Sequence, residues 1–378
     1  MKDVFIVSDN IVSPLGITSA ENFSQVSKMV SGIQMHENAV FSEQPFYASL
    51  FDTTQNLLHD HGTEDDTLYE RLLITSIADA LKNSGVEPGD KKTILIISST
   101  KGNISLLESA AMSPGLKKRM TLQHSAKLVA DFFQFANPPI VVSNACISGL
   151  LAIITAMRMI RNGQYEHAVV AGADVITKFV LSGFQSFQAI STDRCKPFDA
   201  ARNGINLGEG AGTVILSSNK NYSDGVKVSG GSVTNDANHI SGPSRTGEEL
   251  GKAIQNTMED AGLTASDVGF ISAHGTATIY NDEMEAKAIT LAGLQSVPVN
   301  SLKGYYGHTL GAAGLIESII SIHSLKQNVV LPTLGFREMG VSKPLSLSNK
   351  LQNLLLNNCI KTASGFGGCN AAIAISKQ

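Results

Sequence analysis

A single cysteine marks the first place where this chain could do covalent chemistry. Cys146 follows a β-branched run, Pro139–Ser143, and precedes a run of helix formers, Leu150–Arg161. The pattern places the thiol in a tight turn at a helix N-terminus, where unpaired backbone N–H groups and the helix dipole favour a thiolate. The same N–H groups could bind a developing oxyanion. The alternative is a small buried thiol that only packs at a strand end, and the local pattern does not decide between them.

Two histidines stand in similar turns farther along the chain. His274 follows another β-branched run, Val268–Ser272, within the segment SAHGTAT, and His308 lies in KGYYGHTLGAAG. Glycines and alanines around both rings let backbone and substrate approach closely. Taken singly, a histidine in such a turn is more often a hydrogen-bonded structural residue. Three such turns at strand ends nevertheless predict one shared site, because active sites of open α/β folds gather at the carboxyl ends of strands.

A fourth segment, Ala363–Asn370, places one aromatic side chain among three glycines. Phe366, in the sequence SGFGGCN, is therefore predicted to sit on a flexible turn, where it could gate a pocket. The alternative is an ordinary glycine-rich turn between the last two strands.

Strand-like runs alternate with helical stretches along the whole chain, and this alternation predicts an α/β fold. Runs of five or six apolar residues suit strands that are buried on both faces, in sheets covered by helices. The pattern restarts after Asn219–Gly225, so the order of elements predicts two duplicated halves, 1–220 and 221–378. The other predicted strands are Val4–Val7, Thr93–Ser98, His167–Gly172, Gly212–Ser217, Val226–Gly230, Val297–Ser301, Cys359–Ala363 and Ala371–Ser376, and the other predicted helices are Thr67–Asn83, Gly247–Ala261 and Ala312–Leu325.

The composition excludes several classes of function. The 378 residues are 43% apolar and only 16% charged, which is incompatible with global disorder. The net charge of −4 removes the case for nucleic-acid binding through a basic surface. No apolar run reaches the roughly 18 residues of a membrane span, and the opening MKDVFIVSDN lacks the pattern of a secretory signal. We therefore expect a cytoplasmic protein.

The spacing of cysteines and histidines gives no metal signature. Cys146, Cys195, Cys359 and Cys369 are scattered without a CxxC pair, which argues against a zinc cage and against a disulfide framework. The segment His59–His61 lies in a polar stretch, HDHGTEDD, that we interpret as a solvated loop. We expect no metal site.

Five segments in this order and spacing resemble those of the elongating β-ketoacyl-acyl carrier protein synthases: NACISG, KPFDAARNGINLGEGAG, AHGTATIYNDEMEA, KGYYGHTLGAAG and SGFGGCN. The opening FIVSDNIVSPLG resembles the start of that family, so the resemblance covers nearly the whole chain. It implies the thiolase-like fold, an αβαβα arrangement of five layers built from two duplicated halves and usually dimeric.

The resemblance also implies roles for eight residues. By position, the acyl-accepting nucleophile is Cys146, the catalytic histidines are His274 and His308, the organising ion pair is Lys303 with Glu317, the gating aromatic is Phe366, and the hydroxyls that hold the pantetheine arm are Thr276 and Thr278. A Cys-His-His set distinguishes elongating synthases from initiating synthases, which use Cys-His-Asn, and from thiolases, which use Cys-His-Cys.

The implied reaction is the decarboxylative Claisen condensation of an acyl thioester with malonyl-acyl carrier protein, in fatty-acid or specialised polyketide or polyene biosynthesis. No metal or bound redox cofactor is needed, and phosphopantetheine arrives on the acyl carrier protein. The implied assembly is a homodimer, or a heterodimer with a sister chain. The alternatives are a non-condensing chain-length subunit, which typically lacks the nucleophilic cysteine, and a malonyl decarboxylase or simple acyl transferase.

Two further features concern substrate and carrier. The chain departs from the family pattern at Asn203, Ile205, Ile279 and Thr362–Ser364, which changes the expected acyl-chain pocket and favours a specialised pathway. A basic cluster, Lys117–Arg119, with Arg158 and Arg161 as further candidates, could dock an acidic carrier protein. A solvated helix end is an equally good interpretation of that cluster.

Overall fold

The structure is a computed structural model that describes residues 2–52, 66–82, 84–109, 111–237, 240 and 242–378. The segment His59–His61 lies outside these residues. The helices are α1 (Ser19–Ser27), α2 (Leu68–Lys82), α3 (Leu106–Ser109), α4 (Pro114–Arg119), α5 (Leu122–Phe132), α6 (Ser148–Arg161), α7 (Lys178–Ser186), α8 (Glu248–Ala261), α9 (Ile279–Leu291), α10 (Lys303–Tyr306) and α11 (Ala313–Gln327). The strands are β1 (Phe5–Val12), β2 (Gln34–His36), β3 (Phe46–Ser49), β4 (Thr93–Ser98), β5 (Ile140–Val142), β6 (His167–Asp174), β7 (Leu207–Gly208), β8 (Gly210–Ser217), β9 (Val226–Asn235), β10 (Phe270–Ala273), β11 (Pro298–Ser301), β12 (Val329–Val330), β13 (Ser346–Leu347), β14 (Gln352–Asn353), β15 (Asn358–Gly365) and β16 (Cys369–Lys377).

Each half of the chain builds a mixed sheet with the same strand order. The first half has the order β5-β4-β6-β8-β1, and the second has β11-β10-β15-β16-β9, with β13 added at its edge. In both sheets the three strands named first are parallel and the remaining pairs are antiparallel. Numbered within its own half, each sheet has the order 3-2-4-5-1. The two halves are therefore duplicates in topology, as the order of elements predicted.

Helices cover both faces of both sheets, which gives five layers. On the outer face of the first sheet, α2 packs on β1, β6 and β8, and on the outer face of the second, α8 packs on β9 and β16. Between the sheets lie α6 and α11, which contact each other and strands of both halves. Because α6 and α11 are apolar on most of their surface, only a position between two sheets buries them. The αβαβα arrangement of the thiolase-like fold is confirmed.

The predicted strands and helices correspond to observed elements, with shifted ends. The first predicted strand, Val4–Val7, starts and ends too early, because the polar residues Ser8 to Asn10 continue β1 and are paired with β8. The apolar strands β4, β6 and β8 are buried along their full length, as expected for strands covered on both faces. No helix among the described residues has the length and apolar character needed to cross a membrane.

Candidate active site

The turn after β5 holds Cys146 in a constrained position. The preceding residue, Ala145, has a φ of 43°, which is rare for a residue with a side chain. The hydroxyl of Ser148 stabilises the turn, since it donates to the carbonyl of Ala145 at 2.7 Å and accepts from the N–H of Asn144 at 2.8 Å. Helix α6 begins at Ser148, two residues after the thiol. The predicted placement of Cys146 near a helix N-terminus is therefore observed.

Burial, however, raises the pKa of the Cys146 thiol, which the helix terminus was expected to lower. The residue is only 9% exposed, and desolvation raises the pKa of Cys146 to about 12, although the charge of Lys303 and the backbone N–H of Phe366 act in the opposite direction. The expectation of a lowered pKa at this position is wrong, because desolvation raises the pKa of the buried thiol more than the charge of Lys303 and the N–H of Phe366 lower it. A thiolate at this position therefore needs an immediate proton acceptor.

The nearest such acceptor is His308, whose Nε2 lies 3.1 Å from the Cys146 sulfur. The backbone around the ring is fixed, since the N–H of His308 donates to Asn206 at 2.7 Å and the carbonyl accepts from Gly208 at 3.1 Å. The buried carboxylate of Asp174 accepts from the N–H of Gly311 at 2.7 Å and so anchors the same loop. Burial, then the charge of Lys303, lowers the pKa of His308 well below its ordinary value, so the resting ring is neutral and its Nε2 can accept a hydrogen bond from the thiol.

His274 faces His308 across the site. The ring centroids are 5.2 Å apart and the ring planes are tilted by 81°. Glu285 on α9 holds the turn after β10, because its two carboxylate oxygens accept from the N–H groups of His274 and Gly275, each at 2.7 Å. Burial and then the charge of Lys303 also lower the pKa of His274 well below its ordinary value. Both imidazoles are therefore neutral.

The predicted ion pair lies behind the histidines. The ammonium of Lys303 pairs with the Glu317 carboxylate, donates to the carbonyl of His274 at 3.1 Å and lies 3.5 Å from Nδ1 of that ring. A second lysine, Lys361, pairs with the other oxygen of Glu317 at 2.6 Å. Sequence reasoning missed Lys361, although a lone lysine within the apolar run of β15 was a signal that it is buried for a reason.

A small cavity of about 100 Å³ opens onto the sulfur. The hydroxyls of Thr276 and Thr278, 2.9 Å apart, lie at its wall. Phe366 is 40% exposed at the mouth, where its ring packs against two further aromatic rings, Phe184 and Phe187, at centroid distances of 5.9 and 5.5 Å. The cavity is lined by Cys146, Phe184, Ala189, Ile205, Gly242, Pro243, His274, Thr276, Thr278, Asn281, His308, Ser364, Gly365 and Phe366.

All eight predicted site residues therefore lie within one region. Seven of them surround the cavity or contact its histidines, and Glu317 joins them through Lys303. The departures Ile205 and Ser364 also line the cavity, while Asn203 binds the hydroxyl of Ser191 at 2.6 Å outside it. A thiol, a neutral base and inward-facing N–H groups are the components of acyl transfer to sulfur.

The ligand atoms of Cys146, His274 and His308 lie within 4.8 Å of one another, a spacing that a metal ion could also use. The ammonium groups of Lys303 and Lys361 oppose a divalent cation at this position, because their positive charge lies beside the same histidines. The arrangement thus favours proton transfer and anion stabilisation over metal binding.

The predicted basic cluster is only partly available to a carrier protein. Arg119 pairs with the buried carboxylate of Glu70, and Arg161 pairs with Asp260 at 2.8 Å. The charges of both arginines are therefore used in ion pairs that join different helices of the chain. Lys117 and Lys118 on α4 are exposed.

Family models match both halves of the chain. The model of the N-terminal domain of β-ketoacyl synthases matches residues 1–221, and that of the C-terminal domain matches residues 226–337. Among curated proteins, the 3-oxoacyl-[acyl-carrier-protein] synthase 2 of Vibrio cholerae is 29% identical over 99% of both chains. The enzyme of the same name from Staphylococcus aureus is 27% identical over 100% of this chain and 98% of its own.

Solved structures share the fold over the full length. The ishigamide ketosynthase/chain length factor superposes with a TM-score of 0.91 at 24% identity, covering 100% of this chain and 99% of the other. A β-ketoacyl synthase from Burkholderia phymatum superposes with a TM-score of 0.89 at 23% identity, covering all of both chains. At these identities the structures establish the fold.

Proposed function

Because this chain belongs to the β-ketoacyl synthase family, we propose that it is an elongating β-ketoacyl-acyl carrier protein synthase, an acyltransferase that extends an acyl chain by two carbons. The observation that carries the proposal is the convergence of one thiol and two neutral imidazoles at the floor of one cavity, with Cys146 and His308 3.1 Å apart. Relatives that align with the chain from end to end are named 3-oxoacyl-[acyl-carrier-protein] synthases, which supports the same activity.

The first stage loads the acyl chain onto sulfur. Nε2 of His308 accepts the thiol proton, and the Cys146 sulfur attacks the carbonyl carbon of an acyl thioester on the carrier. The N–H groups of Cys146 and Phe366 donate to the oxyanion that forms. The N–H of Phe366 acts to lower the pKa of the Cys146 thiol, and Gly365 allows the two segments to approach, because a Cβ there would lie 2.9 Å from the Cys146 nitrogen. The C–S bond to pantetheine then breaks, and the departing thiolate takes the proton from His308.

The second stage forms the new carbon–carbon bond. The malonyl thioester enters along Thr276 and Thr278. Because the leaving thiolate has taken the Nε2 proton, the remaining ring hydrogen of His308 first moves from Nδ1 to Nε2 by exchange with water, and the malonyl carbonyl oxygen then accepts hydrogen bonds from His274 and from His308. Loss of CO₂ leaves its electron pair on the thioester as an enolate, which those two donors stabilise. The enolate carbon attacks the Cys146 thioester, the sulfur leaves as thiolate, and the 3-oxoacyl chain remains on the carrier. Cys146 recovers its proton from solvent.

The lysines serve this stage indirectly. Neutral imidazoles can donate a hydrogen bond without giving up a proton to the enolate, and burial together with the nearby charge of Lys303 keeps them neutral. The partner is an acyl carrier protein that supplies phosphopantetheine, and no resident metal or redox cofactor takes part because decarboxylation drives the condensation. We place the enzyme in the cytoplasm, as a homodimer or as a heterodimer with a sister chain, in fatty-acid or specialised polyketide or polyene synthesis.

The test is product analysis. The protein is incubated with a panel of acyl-carrier proteins and malonyl-carrier protein, and the carrier-bound products are measured by mass spectrometry. We expect acylated Cys146 and a 3-oxoacyl thioester two carbons longer than the donor, with the preferred donor reporting on the pocket around Ile205 and Ser364. Release of CO₂ without a longer product indicates a malonyl decarboxylase, and an exchanged but unextended acyl group indicates simple acyl transfer. Either result contradicts the proposal.

A non-condensing chain-length subunit is the other outcome to test. Such a subunit would need a sister chain before any condensation occurs. Condensation is therefore measured for the purified chain alone and for the same chain together with a partner protein that co-purifies with it. Light scattering on the same sample gives the assembly size. Condensation by the chain alone as a homodimer excludes the subunit role.

A further inference from the structure

The lysine that sequence reasoning missed, Lys361, places its ammonium group among three oxygens in a fully buried position. Its Nζ lies 3.1 Å from the carbonyl oxygens of Ser272 and Ala273 and 2.6 Å from Oε2 of Glu317, and the side chain is 0% exposed. Of the three N–H donors of this ammonium, two bind the strand carbonyls, and the Glu317 carboxylate supplies the opposite charge. The site therefore accommodates a buried cation.

The position of Lys361 in the sheet explains what the ammonium reaches. Strands β10 and β15 are parallel neighbours, and Lys361 is opposite Ser272 in the register. The two carbonyls that it binds belong to the last two residues of β10, directly before His274. Lys361 therefore fixes the strand end from which the catalytic imidazole projects.

The same ammonium also changes the charge of the buried cluster. One carboxylate, Glu317, lies between two ammonium groups, those of Lys303 and Lys361. Lys303 with Glu317 alone would form a neutral pair, so Lys361 gives the three groups a net positive charge beside the histidines. Burying a charge costs free energy unless the charge is paired and hydrogen-bonded. An apolar residue at this position of β15 would have avoided that cost.

We propose that Lys361 is a positioning residue of the condensing site: it holds the end of β10 and the Glu317 carboxylate in place, and its charge opposes protonation of His274 and His308. This inference rests on the proposed function, which requires neutral imidazoles that donate N–H groups to the malonyl carbonyl. Lys361 touches neither substrate nor thiol, and it acts through the histidines.

Of the groups that face the two rings, the two ammonium groups act in the direction of this role and the carboxylates act against it. The titratable groups around them are Cys146, Glu285, Lys303, Glu317 and Lys361. For both rings burial lowers the pKa most, followed by the charge of Lys303, and the charge of Lys361 adds to it. Removal of Lys361 takes away one of the two ammonium charges that lower these pKa values, so both should move up towards the ordinary histidine value.

Two neutral replacements separate charge from structure. Lys361→Met removes all three donors, whereas Lys361→Gln removes the charge but keeps an amide that can still donate to the β10 carbonyls. Cys359→Ala is the matched control, because it changes a buried side chain two residues earlier in the same strand without changing the charge at Lys361 or the hydrogen bonds that hold the turn of His274.

The readouts are the ring titrations and the rate of CO₂ release. The full-length protein is labelled with ¹³C-histidine, the two ring signals are assigned by their loss in His274→Ala and His308→Ala, and both are followed against pH. We expect the titration midpoints to rise by about one pH unit or more in both Lys361 variants and to stay at the wild-type values in Cys359→Ala. The acid limb of CO₂ release from malonyl-carrier protein should move up by the same amount.

Other outcomes overturn the inference. Unchanged ring titrations in folded Lys361→Met and Lys361→Gln reject the electrostatic role, and a defect in Lys361→Met that Lys361→Gln restores shows a purely structural role. If neither variant folds, as judged by circular dichroism, the ammonium is a requirement of folding and not a positioning device. If wild type releases no CO₂ while the ring titrations shift as expected, the proposed function fails and the electrostatic effect of Lys361 stands.

Discussion

The two halves of this molecule have one topology and two different chemistries. In the first half, the segment after the third strand of the sheet, β5, carries Cys146, and in the second half the equivalent segment, after β11, carries Lys303 and His308. The fourth strand ends at Asp174 in the first half and at Gly365 beside Phe366 in the second. Equivalent strand ends therefore supply a thiol on one side and cations with imidazoles on the other.

This difference shows how duplication can build a two-stage active site. The central helices α6 and α11 follow equivalent strands, and both begin beside the cavity. The first half can be devoted to the covalent intermediate and the second to stabilising the enolate, because each half brings its own strand ends to the same place. Variants in the two halves should therefore fail at different stages of the reaction.

The largest expected effect comes from the first half. Cys146→Ala removes the thiol that accepts the acyl chain in the proposed reaction, so acyl loading and condensation should fall to background. CO₂ release from malonyl-carrier protein should persist, because the histidine donors remain. Loading is measured by mass spectrometry of the protein and CO₂ by ¹⁴C release. Cys359→Ala, a buried cysteine of β15 away from the cavity, is the control and should keep both activities. Loss of both activities in Cys146→Ala would contradict the division of labour.

The second-largest effect comes from the second half and should show the opposite pattern. His274→Ala removes one preorganised donor to the enolate, as does His308→Ala, which typically costs about 2.7–4 kcal/mol, or roughly 10²–10³ in rate. CO₂ release should fall by that factor in both variants. Cys146 should still accept acyl groups in His274→Ala and, more slowly, in His308→Ala, which loses the proton acceptor 3.1 Å from the sulfur. Wild-type decarboxylation in both variants would remove the histidines from the second stage.

The pH dependence gives a smaller and more specific test of the second half. Both histidines have pKa values lowered by burial, then by Lys303, so CO₂ release should stay constant as the pH falls through about 6.5, the ordinary histidine value. The unfolded chain binds protons at that pH and the folded chain does not. The free energy of unfolding should therefore decrease as the pH falls below about 6.5, and less steeply in His274→Ala. A rate that declines with a midpoint near 6.5 would show that the rings titrate normally.

The smallest effect concerns the surface of the first half. Lys118 on α4 is exposed, whereas Arg119 next to it pairs with Glu70. If an acidic carrier protein docks there, Lys118→Glu should raise KM for the carrier substrate roughly two- to fivefold, as expected for an exposed ion pair, and added salt should reduce the difference. Lys343→Glu makes the same change on the exposed surface of the second half. Equal KM values in the two variants would remove α4 as the docking surface.

The sequence predicted where the functional side chains lie better than it predicted their pKa values. Cys146, His274 and His308 follow recognisable strands and lie in turns rich in small residues, so their convergence could be inferred from strand order alone. The pKa of Cys146 could not, because helix position is visible in the sequence while the degree of burial depends on packing from both halves. Lys361 was missed because a single lysine in a strand does not reveal which oxygens will surround it.

The sequence by itself therefore determined the alternation of strands and helices, the duplication of element order and the family-specific set of site residues, since these depend on local patterns. Only the tertiary structure decided that Asp174 anchors the loop of His308, that Glu285 holds the turn of His274, and that Glu317 joins two lysines. Each of these contacts joins residues that lie 11 or more positions apart, across elements that meet only when the sheets and helices have packed. Burial at that point sets the charge states on which the chemistry depends.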